Sequence, residues 1–206
     1  MSLAVGGSYV EQGERLAAIL HDAGAIKDGT AILDLGCGSG RLAATLGRRT
    51  QVDYTGVDIV PELLKYARKK SPRSYKFIES HSLKLPLASE SFDSVCAFSL
   101  FTHLKHEESF AYFDEAKRVL RPRGLFVFSF LEFREPAHWG VFEETLDGLM
   151  RHKRGHANVF IERNVIELWA ARLGFSPPRF IAAGDPGPAG ELGQTLATMV
   201  VMGEAH

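Results

Sequence analysis

The chain is short of cysteine and of net charge and has no long apolar run, and each shortage removes a class of protein. Two cysteines, Cys37 and Cys96, are too few for a disulfide scaffold or a four-thiolate zinc site, so both are expected to stay reduced. A formal charge of −1 gives no general attraction to a polyanion; nucleic acid or an acidic membrane would need a local basic patch. Nowhere do the roughly 20 consecutive apolar residues needed to cross a bilayer occur. The opening Met1-Ser2-Leu3-Ala4-Val5-Gly6-Gly7 lacks the basic region and apolar stretch of a secretory signal. A cytoplasmic protein with no membrane partner is the default expectation. Internal repeats and low-complexity tracts are missing as well.

What remains is an ordinary globular composition, 45% hydrophobic and 24% charged, in a chain of 206 residues that suits one domain spanning 1–206. Leu16, Ile19, Leu20 and Ala23 recur at helical spacing ahead of Gly24, predicting a helix over 10–23. Ala31-Ile32-Leu33-Asp34-Leu35 is an apolar run between Gly29 and Gly36, the pattern of a strand buried on both faces of a parallel sheet. The alternation continues with a helix over 41–48, a strand over 54–57, a helix opened by Pro61, and strands over 75–78 and 92–98. An amphipathic helix over 107–120 ends at Arg121-Pro122-Arg123-Gly124, before a strand over 125–130. A last helix covers 162–173, and strand-like runs at 179–183 and 195–202 flank a Gly/Pro-rich connection. Such alternation predicts an α/β domain, a doubly wound Rossmann-like sheet with helices on both faces. Residues 132–160 break the rhythm, and an insertion of that length is a candidate lid.

In an open parallel sheet, ligands bind beyond the carboxyl ends of the strands. There the first strand runs into Asp34-Leu35-Gly36-Cys37-Gly38-Ser39-Gly40, where alternate glycines let a ligand lie against bare backbone. The dinucleotide fingerprint would need glycine at 41, where this chain has Arg41. Asp58 follows the second strand, 22 residues beyond Gly36. Its two acceptor oxygens suit the hydroxyls of an unphosphorylated ribose and would repel a 2′-phosphate. Taken singly, the glycines could be a tight strand-to-helix connection and Asp58 a cap for the helix at Pro61. Their joint occurrence favours an adenosine site.

Over nearly its whole length the chain resembles the class I S-adenosylmethionine-dependent methyltransferases, in their type 11 branch. Ile32-Leu33-Asp34-Leu35-Gly36-Cys37-Gly38-Ser39-Gly40 looks like the family's first motif and Tyr54-Thr55-Gly56-Val57-Asp58-Ile59 like its second. Leu85-Pro86-Leu87, Ser91-Phe92-Asp93-Ser94-Val95 and Arg118-Val119-Leu120-Arg121-Pro122-Arg123-Gly124 match later blocks. The resemblance implies a seven-stranded sheet with an antiparallel last strand, S-adenosyl-L-methionine as cofactor and S-adenosyl-L-homocysteine as product. It also implies that Gly36, Cys37, Gly38 and Gly40 pass the methionine half of the cofactor, with Asp34 near its ammonium. Asp58 would hold the ribose and Ile59 lie against the adenine, with Phe98 bordering the site at the fourth strand. Tyr9 would close over the cofactor. Two positions depart from the family pattern: His81, followed by Ser82, stands where an acidic residue commonly accepts from the adenine amino group, and Arg123 stands where glycine is usual.

A sulfonium methyl is a strong electrophile, so the protein mainly aligns a nucleophile and excludes water. A hydroxyl or ammonium acceptor also needs a base, and His103, just past the fourth strand, is the candidate. His106 completes an HxxH pattern, but no third ligand is evident and no metal is expected. The lid candidate carries His138, Trp139, Phe142, His152, His156 and Phe160, which could line an acceptor pocket, although half or more would be core in an ordinary fold. Phe98-Ser99-Leu100-Phe101 lacks the Asn/Asp-Pro-Pro-aromatic sequence of nucleobase-amino enzymes, so DNA is disfavoured. Arg151-His152-Lys153-Arg154 reads as a solvated loop, with an anionic substrate or single-stranded RNA as the sharper alternative. The expected acceptor is a small molecule, methylated at oxygen more readily than at nitrogen or carbon. A nicotinamide oxidoreductase fails on the glycine spacing and on the missing Tyr-x-x-x-Lys pair. A catalytically silent module that binds the cofactor or a protein partner is the alternative reading, supported by His81. Oligomeric state is not written in the sequence.

Overall fold

The computed structural model describes residues 9–151 and 158–203. Ala31–Leu35 (β1) is buried at all five positions, as a strand enclosed on both faces must be. Its side chains divide by the two-residue period of a strand. Leu33 and Leu35 enter one apolar cluster with Val95, Phe113 and Phe126, while Ile32 enters the other with Leu42, Tyr54 and Leu64. Each cluster is closed by helices: α4 (His106–Val119) and α6 (Arg163–Leu173) on the first side, and α1 (Tyr9–Asp22), α2 (Arg41–Arg49) and α3 (Pro61–Lys70) on the second.

The remaining strands are β2 (Asp53–Asp58), β3 (Lys76–Glu79), β4 (Phe92–Ala97), β5 (Leu120–Phe130), β6 (Arg179–Ile181) and β7 (Thr195–Val200). They form one seven-stranded sheet in the order β3-β2-β1-β4-β5-β7-β6. Strands β1 to β5 pair in parallel, and β7 runs antiparallel to both β5 and β6. The expected doubly wound sheet with an antiparallel last strand is therefore present. Strand order reverses between β1 and β4, so their carboxyl ends open a crevice at the switch point.

Three local differences from the sequence reading have physical causes. The Arg121–Gly124 turn does not precede β5 but lies within it: Phe92 pairs with Leu120, and the register then shifts to Ser94 with Leu125. Arg123 sits there at φ 66°, in the left-handed region that glycine tolerates best, and its N–H donates to the Val201 carbonyl at 3.1 Å. Within 132–151 a 3-10 turn at Pro136–His138 leads into α5 (Trp139–Met150), none of whose residues is buried. Finally, β6 and β7 stop two residues short of the expected runs. Residues 152–157, which include His152, Lys153, Arg154 and His156, lie outside the described residues, as do 1–8 with Gly6, Gly7 and Ser8. Among the described residues no helix is long and apolar enough to cross a membrane, and no group of three or more His, Cys, Asp or Glu could hold a metal ion.

Candidate active site

At the end of β1 the chain turns through Gly36, Gly38 and Gly40 at φ 72°, 52° and 76°, conformations that cost an L residue and not glycine. The turn is tied to β2, because the amides of Gly36 and Cys37 both donate to the Val57 carbonyl, at 2.8 and 3.1 Å. Asp58 completes the tie: Oδ2 accepts from the Gly38 amide at 2.8 Å and Oδ1 from the Val60 amide at 2.9 Å. One carboxylate thus organises both the glycine turn and the entry to α3, and each oxygen keeps a lone pair for a ligand.

Two concavities flank Gly36. The larger, of ≈ 300 Å³, has Gln12, Asp34, Ser39, Arg41, Phe98 and His103 in its wall, with Cys37 and Gly38. The smaller, of ≈ 90 Å³, is bordered by Asp58, Ile59, Ser80, Leu100 and Tyr112. Gly36 belongs to both walls, and a Cβ there would stand 3.1 Å from Leu100 Cδ1. The bare backbone is therefore the shared rim over which an elongated ligand would pass.

The larger chamber has an acid, a cation and a hydroxyl in its wall. Asp34 is buried and accepts from the Tyr54 hydroxyl at 2.6 Å. Burial lifts its pKa to about 7, the Tyr54 and Cys96 hydrogen bonds pull against that rise, and the Asp58 charge adds to it. Arg41 opens α2, and burial lowers its pKa, although from so high an ordinary value that the guanidinium stays charged. Beside it, Ser39 is buried and its Oγ is without a hydrogen-bond partner among the described residues. Such an orphaned hydroxyl at a helix N-terminus is a donor waiting for an anion. An acid together with a cation, a hydroxyl and a helix terminus is the donor and acceptor set that the ammonium and carboxylate of an amino acid, such as the methionine end of S-adenosylmethionine, would need. Burial pushes the Cys37 thiol up, so it lines the chamber as a small apolar group, not as a nucleophile.

The other expected residues fall in different places. Tyr9 lies against the glycine turn from outside: its hydroxyl donates to the Ser39 carbonyl at 3.0 Å, and its ring meets Tyr66 edge-on. Burial, with help from Tyr66, raises its pKa to about 12. His81 and Ser82 are exposed, and His81 Nε2 faces Glu79 Oε1 at 3.2 Å. The residue of that segment in the smaller wall is Ser80. His103 ends the turn Phe101–His103 and stands exposed at the mouth of the larger chamber. His106, at the start of α4, donates to the Phe160 carbonyl at 3.0 Å. Sequence reasoning missed Gln12 and Leu16 of α1 and Leu192 before β7, all in the larger wall; no motif marks them.

Residues 98–106 and the 132–160 segment do meet. The Val159 amide donates to the Thr102 carbonyl at 2.9 Å, and Phe133 stacks on Phe160 with ring centres 4.4 Å apart. Trp139 and Phe142 pack on that pair. The segment is rooted by a buried ion pair, since Glu132 is fully buried, accepts from Arg163 Nη2 at 2.8 Å and from the Thr195 hydroxyl at 2.6 Å.

Comparisons with known proteins bear on the domain family and the fold. Residues 33–128 match the methyltransferase-domain family. The chain is 39% identical over 116 residues, 54% of its length, to 46% of a demethylmenaquinone methyltransferase of Deinococcus radiodurans. It is 32% identical over 99 residues, 46% of its length, to 36% of an O-methyltransferase of Pyrenophora dematioidea. The chain spans less than half the length of these relatives. The fold superposes on a magnesium protoporphyrin IX methyltransferase from Synechocystis, solved with bound S-adenosylhomocysteine, at a TM-score of 0.65 and 18% identity, covering 93% of this chain and 85% of that one.

Proposed function

We propose that this chain, which matches the methyltransferase-domain family over residues 33–128, is a class I S-adenosylmethionine-dependent methyltransferase that methylates a small-molecule acceptor, at oxygen in preference to nitrogen or carbon. The observation that carries this reading is the pair of chambers that share Gly36, one lined by Asp34, Ser39 and Arg41, the other by Asp58. In this reading Asp34 faces the cofactor's ammonium, and Ser39 and Arg41 face its carboxylate. Asp58 receives the ribose hydroxyls, and Ile59, Leu100 and Tyr112 border the adenine. When bound, S-adenosylmethionine supplies an electrophilic methyl group, and the acceptor oxygen is the nucleophile.

The protein's own work is alignment, exclusion of water and removal of a proton. His103 stands at the mouth of the chamber with its ring exposed, where an acceptor hydroxyl could reach it. The Phe133, Trp139, Phe142 and Phe160 cluster, tied to Thr102 through the neighbouring Val159 amide, is in this reading the apolar cover for the acceptor, with the described residues of 132–160 as the lid. The relatives include a demethylmenaquinone methyltransferase, a sterol 24-C-methyltransferase and an O-methyltransferase, which supports a small organic acceptor.

The test is transfer of labelled methyl to a panel of hydroxylated aromatic and aliphatic acceptors, alongside calorimetric titration with S-adenosylhomocysteine. His103→Ala is expected to lower turnover while leaving cofactor affinity nearly intact. A fully active variant removes His103 as the base, and binding without any turnover returns the protein to the silent reading.

A further inference from the structure

Ser99, two residues past β4, lies in the wall of the larger chamber and holds φ at 56°, beside Glu90 and Arg123 as a non-glycine residue with positive φ among the described residues. An L residue keeps that conformation only when its surroundings hold it there. Three side-chain bonds do so in a closed ring. The Ser99 amide donates to Ser129 Oγ at 2.8 Å. The Ser129 hydroxyl donates to Gln194 Oε1 at 2.7 Å, and Gln194 Nε2 donates back to Ser99 Oγ at 3.0 Å. The Ser99 carbonyl in turn accepts from the Thr102 hydroxyl at 3.0 Å, which passes the constraint into the turn Phe101–His103.

Gln194 stands just before β7, in a connection that reaches two other parts of the site. Leu192 borders the larger chamber, and Glu191 pairs with Arg15 of α1 at 3.2 Å. We infer that Gln194 is a positioning residue: acting through Ser99, it sets Leu100 against Gly36 between the two chambers and His103 in the wall of the larger one. A purely structural role at the start of β7 would not require the amide to grip a strained residue on a different strand's exit loop. The inference rests on the reading of these chambers as a cofactor site.

Two measurements test it separately. In the ligand-free protein, Gln194→Ala should speed hydrogen exchange over residues 99–103 and leave β1 and α2 unchanged. The same variant should weaken S-adenosylhomocysteine roughly tenfold, the scale of one net hydrogen bond. Gln194→Glu, which can accept from both hydroxyls, should recover most of that affinity. The double variant Gln194→Ala with Ser99→Ala should bind no more weakly than the weaker single variant, since both remove one device. Additive losses, or unchanged exchange and affinity in Gln194→Ala, would overturn the assignment. If Gln194→Ala folds poorly, Gln194→Met, of similar shape without the amide, takes its place with the same expected outcomes. Should the wild-type protein bind no S-adenosylhomocysteine, the cofactor reading fails, and the exchange data still decide whether Gln194 holds the loop.

Discussion

Asp58 reaches from the end of β2 to accept the amide hydrogen of Gly38 at 2.8 Å, so the carboxylate proposed to hold a ribose also shapes the turn beside it. This double duty changes what its removal should do. Asp58→Ala takes away charge-assisted bonds to the ligand and leaves the Gly38 and Val60 amides without their acceptor. The expected loss of S-adenosylmethionine affinity is roughly 1–3 kcal/mol. Asp58→Asn keeps one acceptor oxygen and should lose less. Unchanged affinity of the alanine variant in a titration would refute the ribose assignment.

Asp34 predicts a pH dependence of cofactor binding. Its pKa in the free protein is raised to about 7, so near pH 6 the acid is mostly neutral and near pH 8 mostly charged. A cationic ligand end prefers the charged form, and binding must therefore expel a proton below pH 7. Affinity for S-adenosylhomocysteine should rise with pH up to about 7 and then level off. The same shift has the opposite sign for folding: between the ordinary carboxylate range and pH 7 the folded state holds a proton that the unfolded chain releases, so this group's contribution to stability declines as pH rises through that window. Calorimetry in buffers of different ionisation enthalpy measures the proton directly. Asp34→Asn should abolish its release, and a flat affinity profile for the wild type would remove Asp34 from the ammonium site.

The presence of Arg41 beside Ser39 in the chamber that also holds Asp34 predicts a ligand-dependent effect at Arg41. Arg41→Gln should weaken S-adenosylhomocysteine by about 1.5–3 kcal/mol, the range for a hydrogen bond to a charged group. Affinity for 5′-methylthioadenosine, which has no amino-acid end, should stay unchanged. Equal losses for both ligands would mean that Arg41 supports the turn rather than the carboxylate.

Much of this site is legible in the amino-acid sequence, for a physical reason: β1, its glycines and Asp58 act through local backbone geometry, and local geometry leaves a residue-type signature. The walls that are not legible are assembled by topology. Gln194 lies 95 residues from Ser99, and they meet only because β7 inserts beside β5, a placement that strand periodicity does not encode. Gln12 and Leu16 reach the chamber because α1 packs across α2, where a Cβ on Gly13 would come within 2.6 Å of the Arg41 carbonyl oxygen. His81 misleads because it occupies a motif position while its neighbour Ser80 forms the wall. The aromatic residues of 132–160 mislead in part as core candidates: Trp139 is 46% exposed, and it is His138, polar by type, that is fully buried.

The root of that segment gives a last prediction, about stability. Glu132 is fully buried, and its carboxylate is held by Nε and Nη2 of Arg163 together with the Thr195 hydroxyl. Removing only the guanidinium leaves a fully buried carboxylate without its cation, whereas neutralising the acid leaves a side chain that can still accept. Arg163→Met should therefore cost about 3–5 kcal/mol of unfolding free energy, and Glu132→Gln distinctly less, although each deletes the same ion pair. Arg163 also stacks on Phe180 at 5.1 Å, so Met, which keeps an apolar stem against that ring, isolates the charge effect from lost packing. Urea denaturation of both variants measures the asymmetry. Equal losses would mean that the pair is worth only its mutual attraction and that Glu132 is better hydrated than its burial implies.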